Sequence, residues 1–147
     1  MQKGIDYVGV VVCYLCHDGQ GNILFNKRGA NARDEQGKWD VGGGGLEFGD
    51  TVEETLKKEI KEEYCVDVMN FEFLGYRDLL RELNGKKTHW LTLDFIVLLN
   101  RELVKNGEPH KFDEVGWFSP NKLPSPLHPG AIKLLENNKE KILQIIG

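Results

Sequence analysis

Gly44 to Val66, GGLEFGDTVEETLKKEIKEEYCV, is the stretch whose reading decides this chain. Within it Glu59, Glu62 and Glu63 stand at i, i+3 and i+4, spacings that bring side chains to one face of a helix. Carboxylates held that close repel one another unless something positive sits between them. The helix start is well marked: Thr51 followed by Glu54 forms a capping-box pattern. Leu56 and Ile60, one turn apart, give the same helix an apolar contact toward a core. Just upstream lies a glycine run, Gly42-Gly43-Gly44-Gly45, which reads as a turn where a backbone can approach closely. Oxygen ligands clustered beside accessible backbone suit a hard divalent cation, Mg²⁺ with Mn²⁺ as the alternative. Such an ion clamps phosphate oxygens and activates water. The competing reading is a solvated acidic helix face, the usual fate of a charged run.

Working outward, the pattern predicts strands before and after this helix. Tyr7 to Cys16 is a β-branched and aromatic run ended by the turn Asp18-Gly19-Gln20-Gly21, and Ile23 to Lys27 completes a hairpin. Arg28 to Lys38 is polar and loop-like, and Trp39 to Val41 leads into the glycines. Val68 to Arg77 and His89 to Leu99 read as two further strands joined through Asn84-Gly85-Lys86-Lys87. Val115 to Ser119 is a short strand, and Leu123 to Pro129 a proline-rich turn. Ala131 to Ile146 predicts one amphipathic helix with Leu135, Ile142 and Ile146 toward the core. Strands mixed with two helices and no repeats give an α/β (α+β) layered domain. At 147 residues the chain is long enough for one domain with a real core, spanning 1–147.

The segment Gly44 to Val66 resembles the Nudix (MutT-like) box, G-x5-E-x7-R-E-U-x-E-E-x-G-U, where U is a bulky aliphatic residue. Gly44 is the opening glycine, Asp50 the first acidic position and Lys58 the Arg position. Glu59, Ile60, Glu62, Glu63 and Val66 fill the slots that follow, and Cys65 stands where the family has Gly. The resemblance covers nearly the whole chain and implies a mixed β-sheet sandwiched between α-helices. It also implies that Glu59, Glu62 and Glu63, with Gly44, hold the metal, and that Lys58 braces them. Asp50 is one methylene shorter than Glu, and Lys58 is a point charge where a planar two-pronged donor is expected. Such changes around metal-binding carboxylates cost about 10- to 100-fold in metal affinity or activity. A Cβ at position 65, in the left-handed backbone usual after a helix, costs roughly 1–2 kcal/mol.

The implied reaction is Mg²⁺-dependent substitution at phosphorus in a nucleoside diphosphate linked to another group. Downstream of the box the family's ADP-ribose hydrolases carry Pro and its dinucleoside polyphosphate hydrolases Tyr, whereas this chain has Arg81, Glu82, Leu83 and Asn84 there. That favours (deoxy)nucleoside triphosphates cleaved to monophosphate and pyrophosphate. The alternatives are another substrate of the same linkage, such as a nucleotide sugar, and a non-catalytic nucleotide-sensing module of the same fold. All the metal-binding glutamates are in place, which favours catalysis over sensing. Candidate substrate contacts are Arg28, Arg33, Trp39, Gly43, Gly44 and His89, and Glu114 is a candidate additional acidic ligand or base. In His89-Trp90-Leu91-Thr92-Leu93-Asp94-Phe95 the odd and even residues face opposite ways. Periodicity does not tell which face lines the substrate cavity.

A net charge of −4 argues against nucleic-acid polymers and anionic membranes as partners. There is no 18-residue apolar run and no signal-peptide core at MQKGIDYVG. The expectation is therefore a cytoplasmic protein, monomer or homodimer, with a small nucleotide as partner. Cys13, Cys16 and Cys65 read as reduced thiols. The string Cys13 to His17 matches a haem-attachment pattern, but that chemistry needs export, so it reads as part of a buried strand.

Overall fold

The computed structural model describes residues 1–32 and 34–147, with Leu83 described by its backbone alone. Strand β1 (Gly9–His17) is the axis of the sheet. It pairs parallel with β6 (Lys86–Leu98) over its whole length, from Gly9↔Trp90 to His17↔Leu98. On its other side it changes partner. Its C-terminal end pairs with β2 (Ile23–Arg28) at Cys16↔Leu24 and His17↔Ile23. Its N-terminal half pairs with β4 (Gly42–Gly45), from Val11↔Gly45 to Tyr14↔Gly42. Beyond β2 lie β3 (Trp39–Asp40) and β7 (Phe112–Phe118), and β5 (Asn70–Leu83) flanks β6 at the far edge.

Helices cover both faces. The face of α1 (Val52–Tyr64) buries Leu56, Ile60 and Tyr64 against Val12, Tyr14 and Val97. On the opposite face Ala131, Leu134, Ile142 and Ile146 pack on Leu15, Ile23, Phe25 and Ile96. Alternate residues of β1 thus feed opposite layers, which is why the strand reads as a nearly continuous apolar run. The mixed sheet between helices is the architecture the sequence implied. No helix is long and apolar enough, among the described residues, to cross a membrane.

Several boundaries differ from the sequence reading. The glycine run is a strand rather than a turn. A Cβ on Gly42 would meet the Tyr14 ring at 1.9 Å, and one on Gly44 the Glu59 carboxyl carbon at 2.4 Å. These side-chain-free positions let Tyr14 and Glu59 occupy the space above β4. Strands β5 and β6 run on into the polar segment and close through the two-residue turn Asn84-Gly85, with φ of 52° and 77°, the paired positive values of a hairpin turn. Backbone pairing with β6 carries the ladder to Leu83↔Lys86 although no core lies beneath it. The expected single C-terminal helix is two, α2 (Pro129–Asn137) and α3 (Lys139–Ile146), parted at Asn138 with φ −128° and ψ 19°. Asn137 and Asn138 are weak helix formers, and the Asn138 amide donates to the Leu134 carbonyl at 2.9 Å. The bend lets both short helices present an apolar face to the sheet. A 3₁₀ turn covers Arg101–Leu103.

Candidate active site

Thr51 caps α1 as its sequence predicts, in a reciprocal box with Glu54, and this fixes where each glutamate projects. Glu59 is half-buried with its carboxyl over Gly44. Glu62 is exposed. Glu63 is 3% exposed and accepts a hydrogen bond from the Tyr14 hydroxyl. Burial pushes the Glu63 carboxyl up to about 8, against the opposing pull of the Tyr14 bond and Lys111. Glu59 is also raised, by burial first and by Glu62 second. Burial thus outweighs the positive charges near them, Lys111 for Glu63 and Lys58 and Lys111 for Glu59. Among the described residues no three His, Cys, Asp or Glu side chains are grouped closely enough to hold a metal as they stand.

The donor chemistry nonetheless fits a hard divalent cation. Carboxylate oxygens come from one rigid helix, and the β4 cradle below Glu59 is one that a Cβ would fill. Lys58 donates to Asp50 at 3.1 Å, both side chains partly exposed. Two of the three departures from the family box, Asp50 and Lys58, are thus partners of one another.

Glu63 also connects α1 to a cavity of about 240 Å³. The cavity opens where β2 and β4 part from β1. Its apolar lining includes Val11, Leu79 and Trp90, and its cationic lining Arg28, Arg77, Arg81 and Lys111. Gly43, Asp40, Asn26 and His128 also border it. Arg77 is spoken for: it forms a two-pronged ion pair with Asp94 at 2.6 and 2.9 Å and donates to the Gly130 carbonyl at 3.3 Å. A bulge at Gly75 sets this diagonal pairing, in which Arg77 lies opposite Thr92. Asp40 is raised by burial, with His128 and Arg28 pulling the other way. The Cys13 thiol beside it is pushed up to about 12, chiefly by burial and then by Asp94, so it stays protonated and unreactive.

The structure places the sequence candidates unevenly. Arg28, Gly43 and Glu63 border the cavity. Gly44 and Glu59 lie against each other, outside the cavity lining. Trp39 is in the core beneath α2, packed edge-on against Phe118 at 5.1 Å between ring centroids. His89 pairs with Asp78 at 2.9 Å and lines a different hollow, with the N-terminal segment. The even face of β6, Trp90 and Thr92, is the one toward the cavity. Glu114 is exposed on β7 opposite Lys27, outside the cavity lining, whereas Lys111 and Phe112 from the same segment belong to it. Arg33 lies outside the described residues. Sequence reasoning missed Asn26, Asp40, Arg77, Asp94 and Lys111. The signal for Asp94 was present, a lone carboxylate inside the apolar run Leu91 to Leu99.

A family model described as the NUDIX domain matches residues 6–137. A CTP pyrophosphohydrolase from Escherichia coli is 28% identical over 138 residues, 91% of this chain and 90% of the relative. A nucleoside triphosphatase NudI, also from Escherichia coli, is 31% identical over 122 residues, 77% of this chain and 83% of the relative. The crystal structure of a MutT NUDIX hydrolase from Burkholderia pseudomallei superposes with a TM-score of 0.79 at 26% identity, covering 90% of this chain and 98% of that one.

Proposed function

This chain belongs to the NUDIX family of hydrolases, and we propose that it cleaves nucleoside triphosphates to monophosphate and pyrophosphate with Mg²⁺. The observation that carries the reading is Glu63, buried on the glutamate helix yet bordering a cavity whose walls carry Arg28, Arg81 and Lys111. Basic walls offset phosphate charge that an acidic chain would otherwise repel, and Val11, Leu79 and Trp90 offer apolar surface to a flat base. Glu59, Glu62, Glu63 and the Gly44 backbone are the groups that would hold the cation. When bound, the ion supplies charge stabilisation on phosphate oxygens and a more acidic water. The reaction adds water oxygen to one phosphorus of the α–β anhydride, and the bridging oxygen leaves with the other phosphoryl group. A carboxylate of the cluster accepts the proton that water loses. The two relatives, a CTP pyrophosphohydrolase and a nucleoside triphosphatase, support this substrate class.

A panel of nucleotides, assayed for pyrophosphate and phosphate release with and without Mg²⁺, tests the reading. Glu63→Gln keeps an acceptor for the Tyr14 hydroxyl but loses the charge. It is expected to lower turnover at least about 100-fold while its melting temperature in EDTA stays within a few degrees of the parent. Near-parental rates in Glu63→Gln would remove this helix from the mechanism.

A further inference from the structure

Among the described residues, the only buried side-chain polar atom without a hydrogen-bond partner is the Oδ1 of Asn26. Asn26 is 1% exposed and borders the cavity. Its amide nitrogen donates to the Val41 carbonyl at 3.2 Å and to the Tyr64 hydroxyl at 2.9 Å. The orientation is fixed chemically: a backbone carbonyl only accepts, so the amide must turn its nitrogen toward Val41. The oxygen is left as an acceptor with nothing to accept, a state native structures relieve with a protein group, a water or a ligand. Directly across the β2–β3 ladder sits Asp40, and residues opposite one another share a face with their Cβ atoms about 5 Å apart. Asp40 borders the same cavity. One of its oxygens accepts from the Val41 N–H at 2.8 Å, while the other lies 3.8 Å from Arg28 and 4.0 Å from His128. The wall here therefore offers two neighbouring acceptors.

We propose that Asn26 and Asp40 receive the exocyclic amino group of the substrate's base, so that the enzyme prefers cytosine and adenine nucleotides over their oxo counterparts. An amino group carries two N–H bonds and satisfies both acceptors at once, whereas a hydroxyl satisfies one. A phosphate has no donor at neutral pH, and the carbonyl of uracil or hypoxanthine would face two acceptors with none. This rests on the nucleotide reading above and adds which bases the cavity takes.

Two matched pairs, CTP with UTP and ATP with ITP, differ mainly by amino against oxo, and dCTP removes the 2′-hydroxyl. On the full chain kcat/KM is expected to favour the amino member of each pair by about 10-fold or more, with dCTP close to CTP. Calorimetric titration of CMP and UMP in EDTA should show the same order of affinity, a readout independent of turnover. Asn26→Ala should erase most of the preference by weakening the amino member. Should Asn26→Ala fail to fold, the wild-type pairs and the titrations decide alone. Hydrolysis with no amino preference in either pair overturns the proposal while leaving the hydrolase reading intact, and would mark the Asn26 oxygen as an acceptor for water. A preference that follows the 2′-hydroxyl, or one that survives in folded Asn26→Ala, also overturns it. No hydrolysis together with tighter CMP than UMP binding would sink the hydrolase reading and keep this one.

Discussion

Cys65 stands in left-handed backbone, φ 60° and ψ 30°, immediately after α1, and its N–H bonds back to the Lys61 carbonyl. This is the position the family fills with glycine, and the conformation is what the position demands regardless of the residue there. The thiol is exposed and lies beside Gly107, so little burial offsets the strain. Cys65→Gly should relieve roughly 1–2 kcal/mol of left-handed cost and lose about 0.5–1 kcal/mol to the freer unfolded chain. The expected net gain is about 0.5 kcal/mol, read as a higher denaturant midpoint at unchanged slope. A lower midpoint would mean that the sulfur's contact near Gly107 outweighs the strain. Glu63 shows the other side of residue-scale reading. Its spacing on the helix was legible from the sequence, but its burial and its bond from Tyr14 depend on a residue 49 positions away.

At the scale of elements, β4 is the one most easily misread. Four glycines in a row have the composition of a turn, yet they pair in register with β1. The reason lies above the strand, where α1 and Tyr14 fill the space that side chains would take. Gly44 and Gly45 therefore differ sharply in tolerance. A Cβ on Gly44 would sit 2.4 Å from the Glu59 carboxyl carbon, whereas one on Gly45 meets nothing within 4 Å. Gly44→Ala is expected to displace Glu59 and lower kcat/KM by at least about 10-fold, since misplacing a reactive group by an ångström costs about 100-fold. Gly45→Ala should leave activity within about two-fold. Equal activity in the two variants would show that Glu59 need not lie over β4. The β5–β6 ribbon carries a related lesson. The sequence pattern ends its strands at Arg77 and His89, and hydrogen-bond pairing carries them out to Leu83 and Lys86.

Across the whole molecule, the Arg77–Asp94 pair ties the edge strand to the centre of the sheet and to the start of α2. The side chains are 10% and 2% exposed, and Arg77 reaches the Gly130 carbonyl. Removing one member of a buried pair strands the other charge, at about 3–5 kcal/mol, while replacing both with apolar residues costs far less. Arg77→Met is expected to fall in that range by denaturant unfolding, and Arg77→Met with Asp94→Leu to recover most of it. If the single variant loses under about 1 kcal/mol, the edge strand is held by its backbone ladder alone.

The family resemblance implied the sandwich of sheet between helices; the sequence by itself determined the helix that carries the glutamates, its capped start and the buried strands beside it. Those features follow from local spacing: capping, helical and two-residue periodicities act over a few residues, so a one-dimensional pattern carries them. The tertiary structure alone decided which face of β6 meets the cavity, that His89 and Glu114 lie outside its lining while Lys111 and Asn26 belong to it, and that Asp94 is neutralised by Arg77. The register of Arg77 against β6 depends on the bulge between Phe73 and Gly75, and the seating of the glycines on β1 on the point where β1 exchanges β2 for β4. Strand register has a period of two, and a change of partner or one extra residue reverses which side chains face inward.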